Sequence, residues 1–466
     1  MYTFQDFQKE NSVPHAVSVA ISKHLNSDEY KIACDADLYD HQKNKTIYEY
    51  VHKIFSLTGT PIEDFTASNN KIASNFFRRL NTQRISFSLG NGISFAEHEE
   101  YKEKLGKDFD NKLKNLGYYA LIHRVSFGFW NVDGEHVFKL TEFAPLWDEE
   151  TGELRAGVRF WQIDKSKPLF AVLYEEDGYT KFRREVDSAD FVEVQAKKAY
   201  KTKVRVSEVD GEEVIGEDNY GSLPIIPLWG SELKQSTLIG MQQSIDSYDL
   251  IRSGFANDLT DCAQIYWILS NTGGMSDNEV ARFRDRLKTL HIAVADTDNS
   301  GATPYTQEIP YQARETYLTG IRSGIYEDFG GLDVHAVAAG ATNDHIDAAY
   351  QPLEDQADDF EYQVIEFIQK LLDLLGLEQD VPIFKRNKIS NQTEQVEMIT
   401  SCADWLDDET ILKKLPFITP DEVSDILKKK TVEEENRYSD EEIERRISQL
   451  EQNAQPQAQE QEEING

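Results

Sequence analysis

Four aspartates, Asp246, Asp249, Asp258 and Asp261, fall within one short stretch in the middle of the chain. Carboxylates in that number are the raw material of a hard-cation site or of acid–base chemistry. Spaced as they are on a helix, they spread around its axis instead of converging, so a solvated face is the plainer reading. His335 and His345 bracket a loop of small residues. No cysteine or carboxylate pair converges on them in sequence, so they read as polar loop residues and not as ligands or a base. Gly90-Asn91-Gly92 lacks the Gly-Lys-Ser/Thr of a phosphate-binding loop, and no such motif occurs elsewhere, so the chain is not itself a nucleotide-driven motor. Cys34, Cys262 and Cys402 stand apart, forming neither a CxxC pair nor a disulfide framework; a reducing compartment follows. A nuclease or hydrolase would need a nucleophile or metal constellation that these residues do not supply. The expectation is a non-enzyme without metal or cofactor.

The elements that carry these residues come next. The stretch 238–263 is a long helix-period segment. Leu238, Met241, Ile245, Tyr248, Phe255, Leu259 and Cys262 make an apolar stripe, with Arg252 filling the gap. A stripe with no obvious internal partner calls for neighbours, and other copies of the chain would satisfy it. Ile265–Leu269 reads as a buried strand, and Ser276 with Glu279 as a capping box opening a helix over 277–290. Ile292–Asp296 reads as a strand, 297–304 as a turn, and Tyr305–Ile309 as one more strand. A second helix, 313–329, returns with Leu318, Ile321, Ile325 and Phe329 on one stripe. Gly330-Gly331 stops it. A low-bulk loop follows, 332–345, holding Val334, His335, Val337, Ala338, Ala339, Gly340, Thr342 and Asn343. Then comes a helix over 346–375, which Pro352 should kink.

The first half is less regular. Residues 44–57 read as a helix, Ile85, Phe87 and Leu89 as an alternating strand, and 97–118 as one amphipathic helix. From 120 to 220 the chain is β-rich, with hairpins hinged on Asp-Gly at 133–134, 177–178 and 210–211 and on a turn at 150–153. Val381–Ile389 is strand-like. Helices are expected over 395–406, 408–415, 420–429 and 440–450, and the Gln/Glu-rich segment beyond 451 is too poor in apolar groups to order itself.

A net charge of −34 speaks against tight nucleic-acid binding, since counterion release needs basic side chains. A protein that touches DNA without holding it can well be acidic, because repulsion removes electrostatic traps. No run of about 18 apolar residues is present, so no membrane span is expected. MYTFQDFQKENSVP has neither the basic nor the apolar region of a signal peptide.

Taken in order, these elements resemble the portal proteins of tailed bacteriophages, most closely the branch from siphophages of Gram-positive bacteria. NKIASNFFRRLNTQRISFSLGNGISF, FAPLWDEETGELRAGVRFWQ, PIIPLWG with IDSYDLIRSGFANDLTDCA, and GATNDHIDAAYQPLEDQADDFE carry the resemblance. Where the family usually ends its first run in a Tyr-Leu-Gly-Lys-Pro-like sequence, this chain has Phe87-Ser88-Leu89-Gly90-Asn91-Gly92. The resemblance covers about residues 40–400. It implies an α+β subunit with wing, stem, clip and crown parts. The wing is 1–235 with a strand return at 378–392, and the stem helices are 236–262 and 309–330. The clip is 263–308, the tunnel loop 331–345, the body helix 346–377, the crown 393–450, and the tail 451–466. It further implies a homo-oligomeric ring, a dodecamer, at one capsid vertex of the virion, assembled in the host cytoplasm. Double-stranded DNA would pass through it for packaging and ejection. Partners would be the terminase large subunit, the head–tail adaptor, scaffold and major capsid proteins. The tunnel loop would face DNA. Met241, Ile245, Tyr248, Asp249, Arg252 and Phe255, with Ile321, Arg322 and Ile325, would pack between subunits, the aspartates facing the channel or pairing with Arg252 and Arg322 of neighbours. The rival expectation is a structural ring or scaffold component of a capsid without a channel.

Overall fold

The computed structural model describes residues 2–262 except 57, 66, 133, 189 and 208–210. It also describes 266–270, Ser276 with three positions after it, 301–305, 311–334, 342–386, 388, 392–401, 407–415 and scattered positions from 423 to 448. Two compact units emerge: residues 1–332 with 352–387, and 333–351 with 388–466.

The first unit opens with helices that the polar surface of residues 1–40 hides from a periodicity reading: α1 Phe4–Gln8, α2 Val13–Leu25 and α3 Asp28–Asp40. Ala16, Val17, Ala20 and Ile21 make the buried face of α2. Small residues, Ala33 and Ala36, do the same for α3 beside Tyr39. The helix expected over 44–57 is shorter. α4 covers Lys45–Glu49, and the chain then forms a hairpin, β1 Lys53–Phe55 and β2 Pro61–Glu63. Gly59, at φ 79°, makes the reversal that a helix would forbid.

The strand expected at 85–89 is instead the end of a helix, α5 Phe76–Leu89. Burial of the last turn and a half explains the difference. Arg78, Arg79 and Thr82 give the first turns an exposed polar face, but from Arg84 to Leu89 only Ser86 is partly exposed, and the alternation of Ile85, Phe87 and Leu89 there imitates a strand. β3 Ile93–Phe95 follows, after the turn expected at Gly90-Asn91-Gly92. The helix expected over 97–118 is two, α6 Tyr101–Leu105 and α7 Phe109–His123, parted by Gly106 at φ 94°.

The β-rich stretch folds as antiparallel hairpins, as its Asp-Gly turns indicate. β4 Val125–Asn131 pairs with β5 Gly134–Lys139. β6 Phe143–Trp147, β7 Leu154–Trp161, β8 Leu169–Glu175, β9 Gly178–Arg184 and β10 Val192–Lys198 form a five-stranded meander. β11 Lys201–Ser207 and β12 Gly211–Asp218 pair apart from it, and β13 Ile225–Trp229 returns to the free edge of β4. The inner face of the meander packs Ala144, Leu146, Val158, Phe160, Leu173 and Phe182 on α1 and α2.

Next come α8 Gln242–Cys262, β14 Tyr266–Ser270 paired with β15 Gly301–Tyr305, and α9 Tyr311–Phe329. The turn expected over 297–304 thus gives way to a strand from Gly301. The Ser276–Glu279 capping box forms at 2.9 Å, and Asn278, Glu279 and Arg282 are helical; most of the helix expected over 277–290, and the strand at 292–296, lie outside the described residues. α10 runs Asn343–Leu375 through Pro352 without a break. Its stripe of Phe360, Val364, Phe367, Ile368 and Leu371 closes a core shared with Ile85, Leu89, Leu113, Leu116 and Leu121. β16 Pro382–Phe384 then pairs with β3. In the second unit, α11 Gln392–Ser401 and α12 Asp408–Lys414 stand where the first two C-terminal helices were expected; residues 402–406 and the tail lie outside the described residues.

Candidate functional site, the paired helices and the loop beyond them

α8 and α9 run antiparallel. Asp258 of α8 ion-pairs with Arg314 near the start of α9, while Ile245 shares a cluster with Ile325, Tyr326 and Phe329 at the other end. The guanidinium of Arg314 also lies 5.8 Å from the Phe255 ring centroid, and that of Arg322 lies 5.1 Å from the Tyr326 ring centroid. These cations therefore work inside one subunit.

The apolar stripe of α8 is not waiting for a neighbour. Met241 and Ile245 are buried among Phe76, Phe77, Leu80 and Ile122 of the same chain, with Ile325 beside them. Tyr248 and Ile321 pack half-buried against the same cluster. The expectation that these residues meet another subunit is corrected for Met241, Ile245 and Ile325. α5 and α3 fill the place that the sequence left open, and both were misread or missed there. Arg252 is exposed and Phe255 half-buried.

The polar stripe of α8 is a second correction. Asp249 is fully buried, neither in the channel wall nor paired to Arg252 or Arg322. Its carboxylate accepts the Ser74 N–H at 2.8 Å and the Asn44 side-chain amide. Asp246 accepts from the Tyr39 hydroxyl at 2.5 Å and from Thr46 at 2.7 Å. Ser253 takes the Ile72 N–H at 3.0 Å, and Asn257 takes the Asn70 N–H at 2.6 Å. Positions 246, 249, 253, 257 and 260 lie three or four apart and form one face. That face is a seam binding the extended backbone of residues 70–74, whose N–H groups would otherwise go unpaired. Burial pushes the Asp249 carboxyl up, the Asn44 and Ser74 donors pull it back, and Asp246 pushes again; it stands above the ordinary carboxylate range. The recurrence of Ser253, Asn257 and Thr260 in register with the aspartates was the available signal.

α9 ends in two glycines for a visible reason. Gly331 N–H reaches the Tyr326 carbonyl at 2.9 Å and Gly330 N–H the Glu327 carbonyl at 3.1 Å, with Gly330 at φ 65°. That is a Schellman stop, in which a left-handed residue satisfies the last carbonyls. A Cβ on Gly331 would lie 2.5 Å from Leu80. Gln83 of α5 then clamps Leu332, donating to its carbonyl at 2.9 Å and accepting its N–H at 3.0 Å. The loop therefore leaves from a fixed point. In the second unit Val334 is exposed, and the Thr342 hydroxyl lies 2.7 Å from His345 Nδ1, at the N-terminus of α10. His335, Val337, Ala338, Ala339 and Gly340 lie outside the described residues, as does the side chain of Asn343.

The sequence matches the family described as "Phage portal protein, SPP1 Gp6-like" over residues 28–449. The chain belongs to that family. Among curated relatives, the portal protein of Clostridium phage phiCD119 is 26% identical over 381 residues, covering 75% of this chain and 82% of the relative. The portal protein of Bacillus phage SPP1 is 22% identical over 419 residues, 83% of this chain and 79% of the relative. Among solved structures, a chain from "Neck of native GTA particle computed with C12 symmetry" aligns with 74% of this chain and 90% of its own, at 10% identity and a TM-score of 0.40. As a phage portal protein, the chain is a structural component of the phage particle, where it acts as an oligomeric ring.

Among the described residues no three His, Cys, Asp or Glu side chains gather to hold a metal ion. Among the described residues no helix is long and apolar enough to cross a membrane. A cleft of about 620 Å³ opens beside Trp147 and Trp229 and contains both Ser27 and His24. Those two are committed to structure: the Ser27 hydroxyl donates to the His24 carbonyl at 2.7 Å, and the His24 ring bonds the Leu140 carbonyl at 2.8 Å.

Proposed function

We propose that α8 and α9 are the stem of a dodecameric portal, that 263–308 is its clip, and that 331–345 is the tunnel loop facing the DNA. One observation carries the reading: an antiparallel helix pair brackets an excursion based on the β14–β15 sheet, and the second helix ends in a Schellman stop and a clamped exit. Such an exit supports a loop that works against a moving duplex, because its foot stays fixed while the small residues beyond it slide. The wing corresponds to 1–235 with β16, and the crown to 393–450. The clip is the surface for the terminase large subunit and then for the head–tail adaptor. Scaffold and major capsid proteins meet the subunit when it enters the head.

In this reading Asp246 and Asp249 serve the subunit's interior, and the channel is left to loop and backbone. With a net charge of −34 the ring repels phosphate, so DNA passes without condensing onto it. Lysine at Ala339 or Val337 would add up to a dozen phosphate contacts at one level of the channel. Packaging should slow and become salt-dependent, read as DNA packaged per minute at two ionic strengths. An unchanged rate and salt response in Ala339→Lys rings would refute the loop assignment.

A further inference from the structure

Among the described residues no further strand joins the hairpin β1–β2. Its register pairs Ile54 with Ile62 on one face and Phe55 with Pro61 on the other. All six strand residues are exposed, Phe55 at 73% and Ile54 at 52%, and Phe65 just beyond stands at 84%. A lone two-stranded hairpin is marginal in water, and a cluster of exposed large apolar groups marks a surface made to be covered. The base is nevertheless fastened. Asp64 N–H bonds the His52 carbonyl at 2.8 Å, and the His52 ring lies 3.5 Å from the Asn257 amide of α8.

Charge selects the occupant. Residues 54–62, IFSLTGTPI, carry no ionisable group in a chain whose net charge is −34. Two copies of such a chain repel wherever acidic surfaces meet, so contact between copies falls on uncharged ground. A nucleic acid would instead demand basic residues. A matching patch exists on α9: residues 316–321, TYLTGI, are also uncharged, with Thr316, Tyr317, Thr319 and Gly320 exposed.

Height selects the seat. The Asp258–Arg314 pair sets the start of α9 abreast of Asn257, the level at which the hairpin is based. Rotation about a ring axis along the helices preserves level, so each hairpin meets its neighbour near Tyr317. This step rests on the stem reading above. We propose that β1–β2 is an arm that clasps the uncharged face of α9 on the adjacent copy in the ring.

The test uses the full-length chain. Phe55→Asp should raise the concentration for half-assembly by about tenfold or more, read by native mass spectrometry, with the circular dichroism of the subunit unchanged. In parallel, Phe55→Cys with Tyr317→Cys, in a chain with Cys34, Cys262 and Cys402 replaced by serine, should give an oligomer ladder on mild oxidation. Either single cysteine alone should not. Wild-type rings together with normal Phe55→Asp rings and no ladder would overturn the arm and leave the ring standing. A wild-type chain that stays monomeric at every concentration would overturn the ring and the arm together.

Discussion

Glu135 offers the sharpest test of how the subunit core is built. It sits on β5 opposite Trp130, 2% exposed, and neither carboxyl oxygen has a hydrogen-bond partner. The carboxyl occupies the space left by the missing Cβ of Gly128; a Cβ there would lie 2.6 Å from Glu135 Oε1 and 2.7 Å from Phe367. Burial pushes its pKa from 4.5 up to about 8, with Lys112 pulling weakly the other way. The folded value exceeds the unfolded one, so the unfolded chain loses this proton first. The contribution is neutral at pH 4.5 and grows unfavourable as pH rises, levelling off above about 8. One pKa unit is ~1.4 kcal/mol, so the penalty at pH 7 is about 3 kcal/mol. Glu135→Gln keeps the shape and removes the titration. Denaturant unfolding of both proteins at pH 5, 6, 7 and 8, followed by tryptophan fluorescence, should show the variant gaining on the wild type by roughly 1 kcal/mol per pH unit. Other titrating groups are common to both proteins and drop out of the difference. Parallel pH profiles would refute the claim that this carboxyl is held neutral in the core.

Two further substitutions probe the framework. Asp249→Ala strands the Ser74 N–H and the Asn44 amide inside the seam and should cost about 2–4 kcal/mol. Limited proteolysis should then cut within 51–73, and an unchanged digestion pattern would show that the seam does not hold that segment. Gly230→Ala would set a Cβ 2.4 Å from the Ala120 carbonyl, where the backbone after β13 crosses α7. A thermal midpoint should fall by an amount equivalent to about 1–3 kcal/mol, because backbone cannot step aside as a flexible side chain can.

Where neighbours in sequence decide, the chain could be read directly. Asp-Gly turns announced the hairpins, the two glycines after Phe329 announced the stop, and the stripe along α10 announced its buried face. The failures share one cause. At the end of α5, burial of nearly every residue from Arg84 to Leu89 erased the helical period; in the helix expected over 44–57, apolar spacing carried the helix past Glu49 although the chain turns into the hairpin that Gly59 reverses. At Asp249, a charged residue taken for solvent was claimed by backbone donors from more than 170 residues away. Those partners are brought there by the tertiary fold, so no local pattern around 249 names them. The helix-pair elements were legible; what each face of α8 touches was not.

The order of the chain also has a consequence for its birth on the ribosome. β3 finds its partner only when β16 has been made, close to 290 residues later, and the core beneath α5 and α7 stays open until Phe360–Leu372 arrive. At elongation rates of ~5–20 residues per second, that interval is roughly 15–60 s. Throughout it the nascent subunit carries bare apolar faces and an unfinished sheet, a state for chaperones to hold. Products that stop before Phe360 keep those faces open, and products that stop before β16 leave β3 unpaired. Completion of the far segment thus amounts to a length check on the first unit, which closes only in chains translated past β16.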